Sequence, residues 1–179
     1  MSTIFAILRA LALGLCLSLA CLNPALADPI AVAFDRAIAQ FEAAYPHLPQ
    51  DVFGVDVEGF RDALTLRRFA SRHWGGSKHV AVQQGLGGAD CGRFAAYVVL
   101  PPDGETIPLV ICPRFGTEGT DALRGLTILH EMVHVVAGPD ECRAMAFAAR
   151  VEKLATGQFT PVDAYWQANG CAGTGFRLP

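Results

Sequence analysis

The N-terminal apolar run, Ala10 to Ala20, covers about 11 residues and breaks at Asn23-Pro24, well short of the ~20 that a spanning helix needs. A transmembrane span is therefore not expected. Basic charge is not in excess either, since 14 Lys and Arg face 17 Asp and Glu and the cations are scattered apart from Arg67-Arg68. The chain thus has no electrostatic footprint for nucleic acid. No close CxxC pair is present, which argues against a zinc-thiolate site. Internal repeats and low-complexity segments are lacking too, so solenoids and disordered tails are set aside. The Gly85-Leu86-Gly87-Gly88 stretch lacks the Lys-Ser/Thr ending of a phosphate loop, and no helix is expected after it. It reads as a flexible connection.

At the N-terminus, Arg9, the apolar run and the small residues Ala25-Leu26-Ala27 form the pattern of a secretory signal. Residues 1–27 are read as that signal and Asp28 as the start of a mature chain exported to the periplasm or the exterior. A lipid anchor on Cys21 is the lesser alternative, because the aliphatic residue three places before it is missing. The 152 residues left suffice for one domain, 28–179, with a single core and a net charge of −4 once Arg9 is gone. Six cysteines become four without Cys16 and Cys21, and an even number in an exported chain favours disulfides. Cys91 and Cys112 flank an expected hairpin and are paired here, which leaves Cys142 to bridge to Cys171.

Apolar Ala33, Phe34, Ala37, Ile38 and Phe41 recur at helical spacing between Ile30 and Tyr45. A second helix is expected from Val57 to His73, where Phe60, Leu64 and Phe69 share a face ahead of Gly75-Gly76. Runs at His79–Gln84, Arg93–Leu100 and Thr106–Cys112 read as strands. Pro101-Pro102-Asp103-Gly104 supplies a turn for a hairpin between the last two. A tight turn would set Arg93, not Cys91, opposite Cys112, so the bridge calls for a diagonal pairing or a bulge. Pro108 argues that its strand lies at an edge. Near the end, Thr160 to Gly170 reads as a short helix, with Tyr165-Trp166 packing inward.

The chemistry lies between these parts. Thr120 can cap a helix through Leu123, Leu126, Ile128, Leu129, Met132, Val133 and Val136 to a stop at Gly138-Pro139. It is apolar nearly all round, so His130, Glu131 and His134 would carry a desolvation cost that a metal ion offsets. Residues four apart project side by side, giving two imidazole ligands to one zinc ion. Glu131, on the flank, can accept a proton from a zinc-bound water and deliver it to a leaving amine. The other reading is a pair of core histidines satisfied by backbone carbonyls.

A third ligand is sought downstream. The next helix, from Asp140 to about Thr156, offers Glu141 and Glu152, about 16 Å apart at 1.5 Å per residue, so at most one reaches the metal. Proximity to the turn favours Glu141. Asp140 is the rival, since it can either ligate or cap the helix and let Glu141 face the zinc. His73 and His79 are the further imidazoles to inspect, read as ordinary surface or loop residues.

Three stretches, Ile111-Cys112-Pro113-Arg114-Phe115, Thr127 through His134, and Ala137-Gly138-Pro139-Asp140-Glu141, resemble the aspzincin (deuterolysin-like) metalloendopeptidases over residues 105–150. The family's Gly-Thr-x-Asp-x-x-Tyr-Gly motif carries the third zinc ligand and a tyrosine that assists catalysis. The resemblance places that ligand on Glu141, whereas Pro139, Ala144 and Met145 stand where the family has threonine, tyrosine and glycine. Arg143, Arg114 or Tyr165 would then have to stabilise the oxyanion. The run from Glu141 to Ala148 also looks like the second helix of small gluzincins.

The expectation is an α+β, zincin-like domain, with a small antiparallel sheet from residues 79–112 packed over the zinc helix and further helices forming the floor. It would be an exported zinc-dependent metallopeptidase, with His130, His134 and Glu141 as ligands and Glu131 as the base. An edge strand above the cleft would pair with a peptide or protein substrate. The alternative is an exported zinc-binding or structural protein on the same scaffold that has lost turnover.

Overall fold

The computed structural model describes residues 28–179; the signal expected at residues 1–27 lies outside them. Helix α1 (Pro29–Ala44) opens on Asp28, whose carboxylate accepts from the Ile30 amide, and ends in a 3₁₀ turn at Tyr45–His47. A two-stranded ribbon follows, β1 (Asp51–Val52) and β2 (Val55–Asp56), leading into α2 (Val57–Leu64). Then come β3 (Phe69–Ala70), β4 (Ser77–Gln84), α3 (Ala89–Arg93), β5 (Ala96–Val98) and β6 (Thr106–Ile111). The chain closes with α4 (Arg114–Thr117), α5 (Asp121–Ala137), α6 (Glu141–Thr156) and α7 (Asp163–Ala168). Mixed α+β with small sheets and several helices is therefore the class observed. Among the described residues no helix is long and apolar enough to cross a membrane.

Helix α5 is the axis of the core. Helices α1, α2 and α6 pack on it, and β5 lies against another side. Ile128, Leu129, Met132, Val133 and Val135 are fully buried, as the apolar pattern all round the helix requires. Phe41, Phe60 and Phe147 join α1, α2 and α6, with ring centroids 4.9 and 4.7 Å apart.

Several expectations are corrected. The second helix stops at Leu64 instead of running to His73. Thr65 turns its hydroxyl back to the Arg61 carbonyl, Leu66 takes φ 57°, and the Arg67 amide reaches the Asp62 carbonyl, closing the helix in a Schellman turn. Phe69 is buried as expected, but from β3. The main sheet is mixed, not antiparallel: its order is β3-β4-β6-β5, with β4 and β6 parallel and β5 antiparallel to β6. Pro108 thus sits in a central strand. Its carbonyl accepts from the Val99 amide, and its missing N–H would point the same way, at the last rung where β5 is ending.

The bridge Cys91–Cys112 forms, as does Cys142–Cys171. Neither a diagonal pairing nor a bulge brings Cys91 in. Ala95 lies across from Cys112, whose amide donates to its carbonyl, and the chain before it coils into α3 and carries Cys91 back over β6. The segment Arg93–Ala95, expected as strand, belongs to that coil and its exit. Residues 85–88 form a connection outside any helix or strand, but a short helix does follow them, contrary to expectation, with Gly87 and Gly88 at φ 114° and 106° admitting the turn.

Candidate metal centre and its cleft

Thr120 caps α5, its hydroxyl accepting from the Leu123 amide. Ten residues on, the helix delivers His130, Glu131 and, one turn later, His134. Gly138 then takes φ 88° and ψ −171°, a conformation open in practice only to glycine, and breaks the helix. Three carbonyls of the last turn find partners: that of His134 accepts from the Gly138 amide, that of Ala137 from the Arg143 guanidinium. The Val135 carbonyl faces the position of Pro139, which has no N–H, and takes the indole N–H of Trp74 at 2.8 Å instead.

The turn decides which acid faces the histidines. Asp140 is the cap of α6, its Oδ1 accepting from the Arg143 amide at 2.9 Å. Glu141, the first helical residue, then points back at α5. Glu152 is remote in role, buried and accepting from the amide and hydroxyl of Thr160. His130, His134 and Glu141 each offer a ligand atom within 4.8 Å of the others.

The contacts leave a surplus of lone pairs. His134 Nδ1 lies 2.9 Å from the Gly138 carbonyl oxygen, and a carbonyl only accepts, so Nδ1 carries the proton. In a neutral ring Nε2 is then unprotonated. It faces His130 Nε2 at 3.0 Å, which itself faces Glu141 Oε2 at 3.0 Å, while Glu141 Oε1 stands 3.5 Å from His134 Nε2. One proton on His130 answers a single one of these contacts. A cation in the middle answers all of them, and ligands at 2.0–2.1 Å around a tetrahedral ion would stand roughly 3.3 Å apart. The group can hold a metal ion.

Charge responds accordingly. Burial alone would raise Glu141, but hydrogen bonds and charge from His130 and His134 outweigh it and hold the carboxyl well below its usual range. Burial would depress His134, yet Glu141, the charge of Glu131 and the Gly138 carbonyl raise it. Glu131 is raised: burial dominates, and the two histidines and the Val98 backbone pull only partly the other way. A buried carboxyl biased toward its protonated form is a capable proton acceptor and donor.

Two cavities flank this centre, of about 390 and 480 Å³, and Glu131, Tyr165, Phe94 and Ala96 line both. Above them runs β5, the edge strand. Ala95, Tyr97 and Val99 face β6 with their backbone groups, so Ala96 and Val98 turn theirs to the open edge.

Tyr165 was expected to pack inward. It is 43% exposed, and its hydroxyl donates to Glu141 Oε2 at 3.1 Å. Burial of the hydroxyl and the charge of Glu141 push its pKa up to about 12. The other two oxyanion candidates are engaged elsewhere: Arg114 with Glu118 and the carbonyls of Gly92 and Arg93, Arg143 with Ala137 and the ring of Phe176. His79 stands by Arg68 and Thr106, and His73 against Trp74, so neither joins the cluster. Trp74 and Val98 escaped the sequence reading, because neither has a spacing that ties it to α5. Tyr165 had one usable signal, the Cys142–Cys171 bridge that draws its helix back to the start of α6. No family model, no curated protein and no solved structure matches the chain.

Proposed function

We propose that this chain is an exported zinc-dependent peptidase of the zincin type. The observation that carries the proposal is the convergence of His130, His134 and Glu141 on one point with more lone pairs than protons. Imidazole and carboxylate at tetrahedral spacing suit zinc, and among the described residues no fourth His, Cys, Asp or Glu joins the group. Zinc held there would polarise a substrate carbonyl and make water acidic near neutral pH.

The chain's own groups supply the rest. The open edge of β5 offers the N–H and C=O of Ala96 and the C=O of Val98 to an extended peptide, which fixes its carbonyl over the centre. Glu131 takes a proton from the attacking water and returns it to the departing amine. Tyr165, still protonated far above neutral pH, would turn its one hydroxyl proton from Glu141 to the oxygen on which charge develops. Gly138 fixes the His134 tautomer, and Asp140 fixes the helix start that aims Glu141. Two disulfides and the absence of a spanning helix among the described residues accord with export.

The test compares wild type with Glu131→Gln at matched zinc content on an unfolded protein substrate. Cleavage by wild type and its loss in the variant, about 100-fold or more, is the expected result. Equal cleavage removes Glu131 from the mechanism, and no cleavage by zinc-loaded wild type favours the non-catalytic zinc-binding reading.

A further inference from the structure

We infer that the protein has a second binding site, remote from the metal centre, for a small carboxylate with a flat apolar body, in the cavity between the C-terminal half of α6, the β1–β2 turn and residues 175–179. The cavity measures about 380 Å³, and Arg150, Lys153, Arg177, Phe53, Leu154 and Leu178 supply its chemistry. It shares no lining residue with the two cavities at the metal centre. Arg150 stands well beyond Glu141 on α6, roughly 13 Å along the axis at 1.5 Å per residue. The site therefore stands whether or not the metal centre is that of a peptidase.

Charge selects an anion. The chain carries a net charge of −3, yet three cations line this cavity and no acidic side chain does. None of the three enters an ion pair among the described residues. Lys153, in the last turn of α6, answers the negative end of the helix dipole. That leaves two guanidinium groups. The Nε of Arg150 is shielded from solvent and has no hydrogen-bond partner, a condition rare for a buried donor. A carboxylate oxygen supplies the acceptor, and the planar fork of a guanidinium matches a carboxylate in two parallel hydrogen bonds.

The remaining lining selects a flat apolar body. The pairing of Val52 with Val55 leaves Phe53-Gly54 as a two-residue turn, with φ 57° and 80°. Such a turn ordinarily takes asparagine, aspartate or glycine first, because a bulky side chain is strained at positive φ. Phenylalanine here sets a ring at the cavity against that preference, and the ring meets Phe176 edge-on with centroids 5.9 Å apart. Leu154, 37% exposed, and Leu178 complete the apolar lining. The tail that carries Arg177 and Leu178 is anchored, since Phe176 packs on the Cys142–Cys171 cluster and has the Arg143 guanidinium 5.7 Å from its centroid. A concave, mainly apolar site with a few convergent charges is the ordinary form of a small-molecule pocket.

Calorimetric titration of the zinc-loaded protein with 2-naphthoate, acetate and inorganic phosphate tests the site. 2-Naphthoate should bind about 10-fold or more tighter than either of the others, since acetate lacks the rings and phosphate has no apolar surface to bury. Arg177→Glu, an exposed change that spares folding, should weaken 2-naphthoate about 10-fold or more, as loss of a charge-assisted hydrogen bond requires. Arg150→Met, which keeps the length of the side chain and removes its donors, should do the same. His130→Ala should leave the binding unchanged. Binding lost in His130→Ala but kept in Arg177→Glu puts the probe on the metal and overturns the site, as does the absence of any 2-naphthoate binding. Phosphate bound as tightly as 2-naphthoate overturns the ligand class. None of these outcomes bears on peptide cleavage, which the Glu131→Gln comparison decides separately.

Discussion

His73 lies so close over Gly138 that a β-carbon built on the glycine would stand 2.5 Å from His73 Nε2. The contact fills the space where a side chain would go, and the glycine's φ of 88° forbids one in any case. Gly138→Ala should therefore cost about 1–3 kcal/mol from backbone strain alone. It should also weaken zinc binding, because the Gly138 carbonyl holds the His134 ring. Urea denaturation and a zinc-chelator competition measure the two effects, and wild-type values in both would show that the turn does not set the site.

Metal and pH should act on stability in opposite senses. Without metal, Glu141 has a depressed pKa, so its contribution is in place above its unfolded value of about 4.3 and is lost as pH falls. His134 is raised, so its contribution is in place below about 6.5 and is lost as pH climbs through its folded value. Glu131, also raised, likewise loses its contribution as pH rises. Metal-free protein should thus melt highest at mildly acidic pH. Zinc competes with protons for the histidines, so its stabilisation should grow from pH 5 to 7.5 and vanish in His130→Ala and His134→Ala. Thermal melts with chelator or zinc across that range check this, and a metal-free Tm rising steadily to pH 8 would contradict the assigned shifts.

Tyr165→Phe should lower kcat about 10- to 100-fold with KM nearly unchanged, as expected for a donor that acts mainly on developing charge. Zinc content should stay at the wild-type level, since the phenol touches Glu141 without being needed to hold it in its helix. A change confined to KM would instead make Tyr165 a substrate-binding wall.

Removing Cys142–Cys171 by paired serine substitutions should cost about 3–4 kcal/mol, given a sequence separation of 29 residues. Helix α7 carries Tyr165 and is drawn to α6 by this bridge, so activity should fall further than zinc binding does. Guanidinium melts and zinc titrations of the double variant separate the two. Equal losses in both would mean that α7 does not act on the site independently.

Local chemistry was legible in the sequence. The helices α1, α5 and α6, the Thr120 cap, the stop at Gly138-Pro139 and the spacing of His130, Glu131 and His134 all follow from side-chain periodicity and capping, which act within a few residues. Glu141 was favoured over Asp140 and Glu152 by position, and both disulfide pairings were proposed. Tertiary structure alone decided the parallel pairing of β4 with β6, the central place of Pro108, the coil that returns Cys91 to Cys112, the release of Phe69 from a helix into a strand, and the approach of Tyr165 to Glu141. Each of these depends on a contact between segments far apart in the chain. Its geometry is set by how whole elements pack, and nothing in the spacing of neighbouring residues records it.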